Sequence, residues 1–234
     1  MKSTYESKDL KTQTPVQETF RIAAILAVVG GFLDAYTYLL HGAVFANAQT
    51  GNIVLMSMRI AEAEWLKALY YLIPIIAFAL GVVVTELIKA LSRKSSFLKW
   101  RYIIVGMEAA VLFLLGILPS ATPSMVITVT ISFICSVQVC SFRSLSGVPY
   151  ATTMCTGNLR SATEQFCAYI RTKNKIALHH SGRYFFIIFC FCAGAAVGVL
   201  ACNLWAGRSI WLCSILLLLT LLLLLLDKKE CGHD

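Results

Sequence analysis

Asp34 is the residue of this sequence best placed to do chemistry, because it sits deep in an apolar run just after Gly30-Gly31. An ionisable side chain at membrane depth is costly, so such residues tend to mark an ion or proton pathway or a paired site. Glu108 lies in the middle of another apolar run. It reads either as the partner of a Lys or Arg, or as an acid kept neutral because burial disfavours its charge. Arg143 closes a further run, where three roles stand open: contact with an anion, pairing with Asp34, or reaching back to the aqueous surface. Glu86, nearer the end of its run, reads as surface-seeking, and His41, His179 and His180 read as surface residues at loop edges.

Composition says what must hold these groups. The chain is 58% apolar and only 14% charged, with a mean hydropathy of +0.75. That is too little charge to cover a soluble domain of this size, so the sequence belongs to the membrane class. Twenty Lys and Arg against twelve Asp and Glu give a formal charge of +8. These charges sit in short clusters between apolar runs, as membrane flanks do, and no nucleic-acid-binding motif accompanies them. Most cysteines, including Cys135, Cys190, Cys202 and Cys213, fall inside apolar segments and read as reduced packing residues.

About 20 apolar residues are needed to cross the hydrocarbon of a bilayer. Six stretches qualify: Arg21–Leu40, Leu69–Ala90, Tyr102–Leu118, Pro123–Phe142, Tyr184–Leu204 and Ser209–Leu226. The dense basic clusters fall in the N-terminal tail, around Lys89–Arg101, and around Arg143–Arg183. The bias of Lys and Arg towards cytoplasmic loops therefore places both termini in the cytoplasm. The expected organisation is a polar cytosolic tail over 1–19, a first membrane repeat over 20–118, a second over 119–226, and a cytosolic tail over 227–234.

The repeat rests on Thr50-Gly51-Asn52, which recurs as Thr156-Gly157-Asn158, 106 residues later. A tripeptide alone would be chance, but its surroundings recur too. A glycine precedes each copy (Gly42, Gly147), and an amphipathic stretch with interfacial aromatics follows each (Arg59–Leu69, Arg160–Lys173). Each is then followed by a span with small residues four apart, Ala77 and Gly81 in one, Gly194 and Gly198 in the other. Three spans per half is odd, so the halves are expected to be inverted, an architecture that puts a binding site near the midplane of transporters.

Residues 43–58 are too polar and short for a comfortable span and too apolar for a free loop. Backbone at membrane depth is tolerated only inside protein or against a water-filled cavity. The segment is therefore expected to be re-entrant, turning near Thr50-Gly51 and leaving as a half-helix capped by Thr or Asn. The amides of that half-helix would favour an anion or polar group.

The run from Gly31 to Tyr38, followed by that from Val44 to Asn52, resembles the signature of the YoaK-like bacterial membrane proteins. Gln138, Arg143 and the run Thr152-Thr153-Met154-Cys155-Thr156-Gly157 are similar to that family's second motif, with Ser136 and Val139 standing where its pattern has Gly and Asn. The resemblance implies a bacterial inner-membrane protein and names no substrate, because the family is one of unknown function.

The fold expected is thus all-α: about six transmembrane helices in two inverted three-helix repeats, each carrying a re-entrant or broken polar segment. The leading function is a secondary transporter or channel-like permease for a small polar solute or ion. A membrane-embedded enzyme acting on a lipid and a non-transporting scaffold are the alternatives. No catalytic, metal or cofactor signature is present, so the chain is not expected to be an enzyme. Candidate substrate- or ion-binding residues are Asp34, Tyr38, Asn47, Gln49, Thr50, Gly51 and Asn52 in the first half. In the second half they are Gln138, Arg143, Thr153, Thr156, Gly157 and Asn158. The expected partners are the lipid bilayer and the solute or ion, with room for a homo-oligomer and no nucleic acid.

Overall fold

Apolar runs of this length have one way to satisfy their backbone in lipid, and the helix is it. The computed structural model describes residues 16–91, 94–142 and 155–230, and among them all regular structure is helical. The helices are α1 (Val16–Leu40), α2 (Gln49–Ala61), α3 (Trp65–Leu91), α4 (Lys94–Leu115), α5 (Ser124–Ser141), α6 (Cys155–Thr172), α7 (Lys175–Trp205) and α8 (Trp211–Glu230). A 3-10 turn, Ala206–Ile210, separates the last two.

Local chemistry sets the ends. Pro123, which has no N–H to strand, precedes α5, and Asn174 caps α7 by accepting the Ile176 N–H at 2.9 Å. Positive φ breaks the chain at Gly42 (83°), Ala43 (56°), Ala63 (57°), Lys173 (55°) and Ala206 (46°), conformations through which a right-handed helix cannot continue. One expectation changes as a result. The amphipathic stretch Arg59–Leu69 is not one helix: it is the end of α2, a break at Ala63, and the start of α3. Arg59 there bonds Glu62 and Glu64, and Lys67 bonds Glu64. The hydrogen bond to Lys67 leads in holding the Glu64 carboxyl below its ordinary value.

Among the described residues, four stretches are long and apolar enough to cross a bilayer: Phe20–Leu40, Trp65–Leu91, Ser124–Ser141 and Lys175–Leu226. The last covers 52 residues but is broken at Ala206–Ile210, so it is two helices, α7 and α8. Tyr102–Leu118 is not among the four; its helix ends at Leu115, and its beginning carries Lys99 and Arg101. Leu80, Val83 and Leu87 on α3, Phe189, Leu200 and Leu204 on α7, and Ile215, Leu218 and Leu222 on α8 are exposed. So broad an apolar exterior suits lipid rather than water.

The packing joins distant parts of the chain. α1 runs parallel to α7: Phe20 lies beside Phe186, Gly194 against the Val28 carbonyl, Gly198 against Phe32, and the Tyr36 hydroxyl donates to the Gly207 carbonyl at 3.1 Å. In the same way α3 runs parallel to α5, with Gly81 against the Phe133 carbonyl and Ser136, and Lys89 Nζ donating to the Cys140 carbonyl at 2.9 Å. α8 runs antiparallel to α4: Trp211 Nε1 donates to the Phe113 carbonyl (3.1 Å) and Ser214 Oγ to the Ala109 carbonyl (2.7 Å). The short helices lie against their successors, α2 on α3 and α6 on α7, where Ser181 Oγ donates to the Ala162 carbonyl at 2.8 Å.

Candidate functional site

The connection between α1 and α2 is the site's foundation. The chain turns back at Gly42 and Ala43, then runs inward with Val44, Ala46 and Asn47 buried before α2 begins at Gln49. The turn therefore lies well before Thr50-Gly51, where the sequence reading put it. The cap differs as well: Ala48 is the N-cap and no side chain caps the helix. Asn52, in the first turn of α2 and fully buried, does something else. Its Oδ1 accepts the Phe45 N–H (2.9 Å), while its Nδ2 donates to the Phe45 carbonyl (2.7 Å) and to Gln49 Oε1 (2.9 Å). Gln49 Nε2 in turn donates to the Ala46 carbonyl at 2.9 Å. Asn52 and Gln49 thus satisfy backbone that would otherwise be stranded at depth. Gly51 leaves room for the Phe45 ring, whose carbons a Cβ there would meet at 2.8 Å.

Asp34 faces this turn. Its Oδ1 accepts the Asn47 N–H at 2.6 Å, and the Ala46 and Ala48 amides look towards the same carboxyl group from farther away. A carboxyl group of the protein itself thus sits where the amides before α2 were expected to attract an anion or polar group. Asn47 Nδ2 donates to the Gly30 carbonyl at 3.3 Å, which fixes the carboxamide beside Asp34. Among the described residues two oxygens have no hydrogen-bond partner, Asp34 Oδ2 and Asn47 Oδ1, on residues only 5% and 8% exposed. Both are acceptors. Their natural complement is a donor or a small cation, and the soft donor beside Asn47 is the Cys135 thiol.

The second polar segment repeats the register of the first. Thr156-Gly157-Asn158 occupies the second to fourth positions of α6, as Thr50-Gly51-Asn52 does in α2, and Asn158 is buried like Asn52. Cys155, the first residue of α6, is influenced by the Asp34 charge. Thr50, Thr156 and Gly157 are exposed, and Tyr38, 41% exposed, stacks on Phe45 at 4.8 Å rather than lining the buried site. Arg143 and Thr153 lie outside the described residues. Gln138 is buried elsewhere: its Nε2 donates to Glu108 Oε2 at 2.6 Å. Glu108 therefore bonds an amide rather than a Lys or Arg. Glu86 does pair with Lys89, at 2.7 Å on an exposed face.

His41 departs most from its expected surface position. It is buried against Tyr36 (ring centroids 4.9 Å apart), with Nδ1 3.4 Å from Ser124 Oγ and Nε2 unpartnered. Burial pushes its imidazole down to about 4. It borders a cavity of about 810 Å³ at the end of the bundle where α1, α4 and α7 stop and α5 and α8 begin. Tyr36, Ser124, Asn203, Arg208 and Trp211 also line it. No local pattern marks this chamber, because its wall is assembled from five helix ends far apart in the chain.

Residues 22–223 match the family described as "Protein of unknown function (DUF1275)". The chain belongs to the DUF1275 family. It is also similar to the UPF0700 transmembrane protein YoaK of Bacillus subtilis (strain 168), at 24% identity over 185 residues, covering 77% of this chain and 82% of the relative. No solved structure matches. The match spans both polar segments, so this DUF1275 protein carries the Asp34 turn and its counterpart within the family's own boundaries. The transmembrane relative and the apolar helices agree on a multi-pass membrane protein.

Proposed function

We propose that the protein is a secondary transporter or channel-like permease for a small polar solute or ion, built from two inverted repeats. The observation that carries the reading is the pair of buried, unpartnered acceptor oxygens on Asp34 and Asn47, at a break between helices inside an apolar protein. Leaving such groups empty is costly, and a transported ligand is one means of filling them.

The packing supports the repeat. Exchange α1 with α5, α2 with α6, α3 with α7 and α4 with α8, and each main contact becomes another. The α1–α7 pair becomes α5–α3, α2–α3 becomes α6–α7, and α4–α8 becomes itself. Individual contacts follow: Gly194 on the Val28 carbonyl corresponds to Gly81 on the Phe133 carbonyl, and Gly116 beside Trp211 to Gly106 beside Leu221. On this reading α1, α3, α4, α5, α7 and α8 cross the membrane, α2 and α6 enter it part-way, and the chamber beside His41 opens to the outside. At 13 residues, α2 is about 20 Å long, too short for a bilayer. The basic clusters then place both termini in the cytoplasm of a bacterial inner membrane.

Reconstituted protein is expected to accelerate the flux of at least one member of a panel of labelled inorganic ions and small polar solutes into liposomes. Asp34→Asn and Asn47→Ala should abolish that flux while leaving the protein folded. Flux that survives both substitutions would remove the central site from the mechanism.

A further inference from the structure

A second carboxyl group lies deeper than the first. Glu108 on α4 is fully buried, and Gln138 on α5 is 2% exposed. Gln138 Nε2 reaches Glu108 Oε2 at 2.6 Å, while Glu108 Oε1 is buried with no hydrogen-bond partner among the described residues. Among the described residues, the titratable groups that the Glu108 charge is shown to influence are Cys135 on α5 and Cys213 on α8, neither of them a cation. The ion pairs recorded among the described residues, on Arg59, Lys67, Lys89 and Arg160, all lie elsewhere.

The chemistry of a carboxyl group against a carboxamide distinguishes its two states. A carboxylate takes one hydrogen bond from the amide N–H and leaves its other oxygen stranded, a costly arrangement for a buried charge. A carboxylic acid can close a ring instead: the amide N–H donates to the acid carbonyl, and the acid O–H donates to the amide oxygen. Rotation about the terminal torsions of Glu108 and Gln138 is all that this closure needs.

We propose that Glu108 and Gln138 form a proton-binding site, separate from the Asp34 turn, in which Glu108 is held as the neutral acid and exchanges its proton with water when the helices around it part. Cys135, which the Asp34 and Glu108 charges both influence, stands on α5 with Gln138. If the transport reading holds, this is the proton whose uptake and release accompany solute movement; the site itself does not depend on that reading.

The test is infrared spectroscopy of the full chain in proteoliposomes during exchange between neutral and alkaline buffer. Wild type should show a carbonyl-stretch band of a neutral carboxylic acid that disappears on alkaline exchange. Glu108→Gln should lose that band, Asp34→Asn should keep it, and Gln138→Leu should shift it to higher wavenumber as the amide hydrogen bond is lost. Identical carboxyl regions in wild type and Glu108→Gln would overturn the proposal. If Glu108→Gln does not fold, an unshifted band in Gln138→Leu overturns it instead. Solute flux that needs Asp34 in a protein without the Glu108 band would end this proposal and leave the transport reading; the band without any flux would do the reverse.

Discussion

Replacing Asn52 with alanine separates a structural role for the Thr-Gly-Asn segment from a ligand-binding one. The Asn52 carboxamide makes three hydrogen bonds, two of them to the Phe45 backbone. Alanine would strand the Phe45 N–H and carbonyl in an apolar setting, and each stranded group costs about 1–3 kcal/mol. Phe45 is only partly buried, so the lower half of that range applies and the sum is about 2–4 kcal/mol. For a chain of this length that corresponds to a fall of about 5–15 °C in Tm. Thr50→Ala, at an exposed neighbour in the same helical turn, should stay within about 0.5 kcal/mol of wild type. The assay is thermal unfolding of detergent-purified protein followed by tryptophan fluorescence, with Asn52→Asp as a third variant. Aspartate keeps the acceptor for the Phe45 N–H but removes the donor to its carbonyl, so it should fall below wild type too. A melting curve for Asn52→Ala that overlays that of Thr50→Ala would refute the reasoning, because Asn52 would then not be holding the turn.

Glycine contacts give a second prediction. A methyl group at Gly194 would collide with the Val28 carbonyl and one at Gly81 with the Phe133 carbonyl, so Gly194→Ala and Gly81→Ala should each destabilise by about 1–3 kcal/mol. Gly182→Ala, with nothing near its Cβ position among the described residues, should match or slightly exceed wild type by the same melting assay. His41 predicts a pH dependence. Its folded value of about 4 lies below its ordinary 6.5, so the neutral form is the one the fold favours. Its contribution is complete above pH 6.5 and declines as pH falls towards 4, by less than about 1.4 kcal/mol per pH unit because the ring is partly hydrated. His41→Gln should therefore flatten the drop in Tm between pH 7 and pH 5; an unchanged slope would show that His41 does not cause it.

The helical class, the helix ends near glycine, proline and charge clusters, and the two polar segments were all legible as interruptions in apolar sequence. Asp34 was legible for the same reason: a carboxyl group in a run of apolar residues is conspicuous at any depth. What could not be read was pairing. Nothing local to Glu108 names Gln138, thirty residues away, because the pairing depends on how α4 turns back against α5. The misplaced turn has a simple cause. Thr50-Gly51 looks like a turn by residue type, but an alanine accepted positive φ beside Gly42, and the asparagine's partners lay upstream rather than in its own helix. His41 was misread because proximity to a loop was taken for exposure, when aromatic packing on Tyr36 covers the ring.

The tight glycine contact between Val28 and Gly194 has a consequence for biosynthesis. Its two sides are 166 positions apart in the chain, and a ribosome adding about 5–20 residues per second needs about 10–30 s to make the second after the first. Throughout that interval the face of α1 around Val28 and Gly31 lacks the helix that packs against it in the finished fold. α3 waits for α5 over a shorter stretch, and it does so before α7 exists. Neither α1 nor α3 finds its main partner among α1 to α4, so this packing completes only once α5 and α7 have been made.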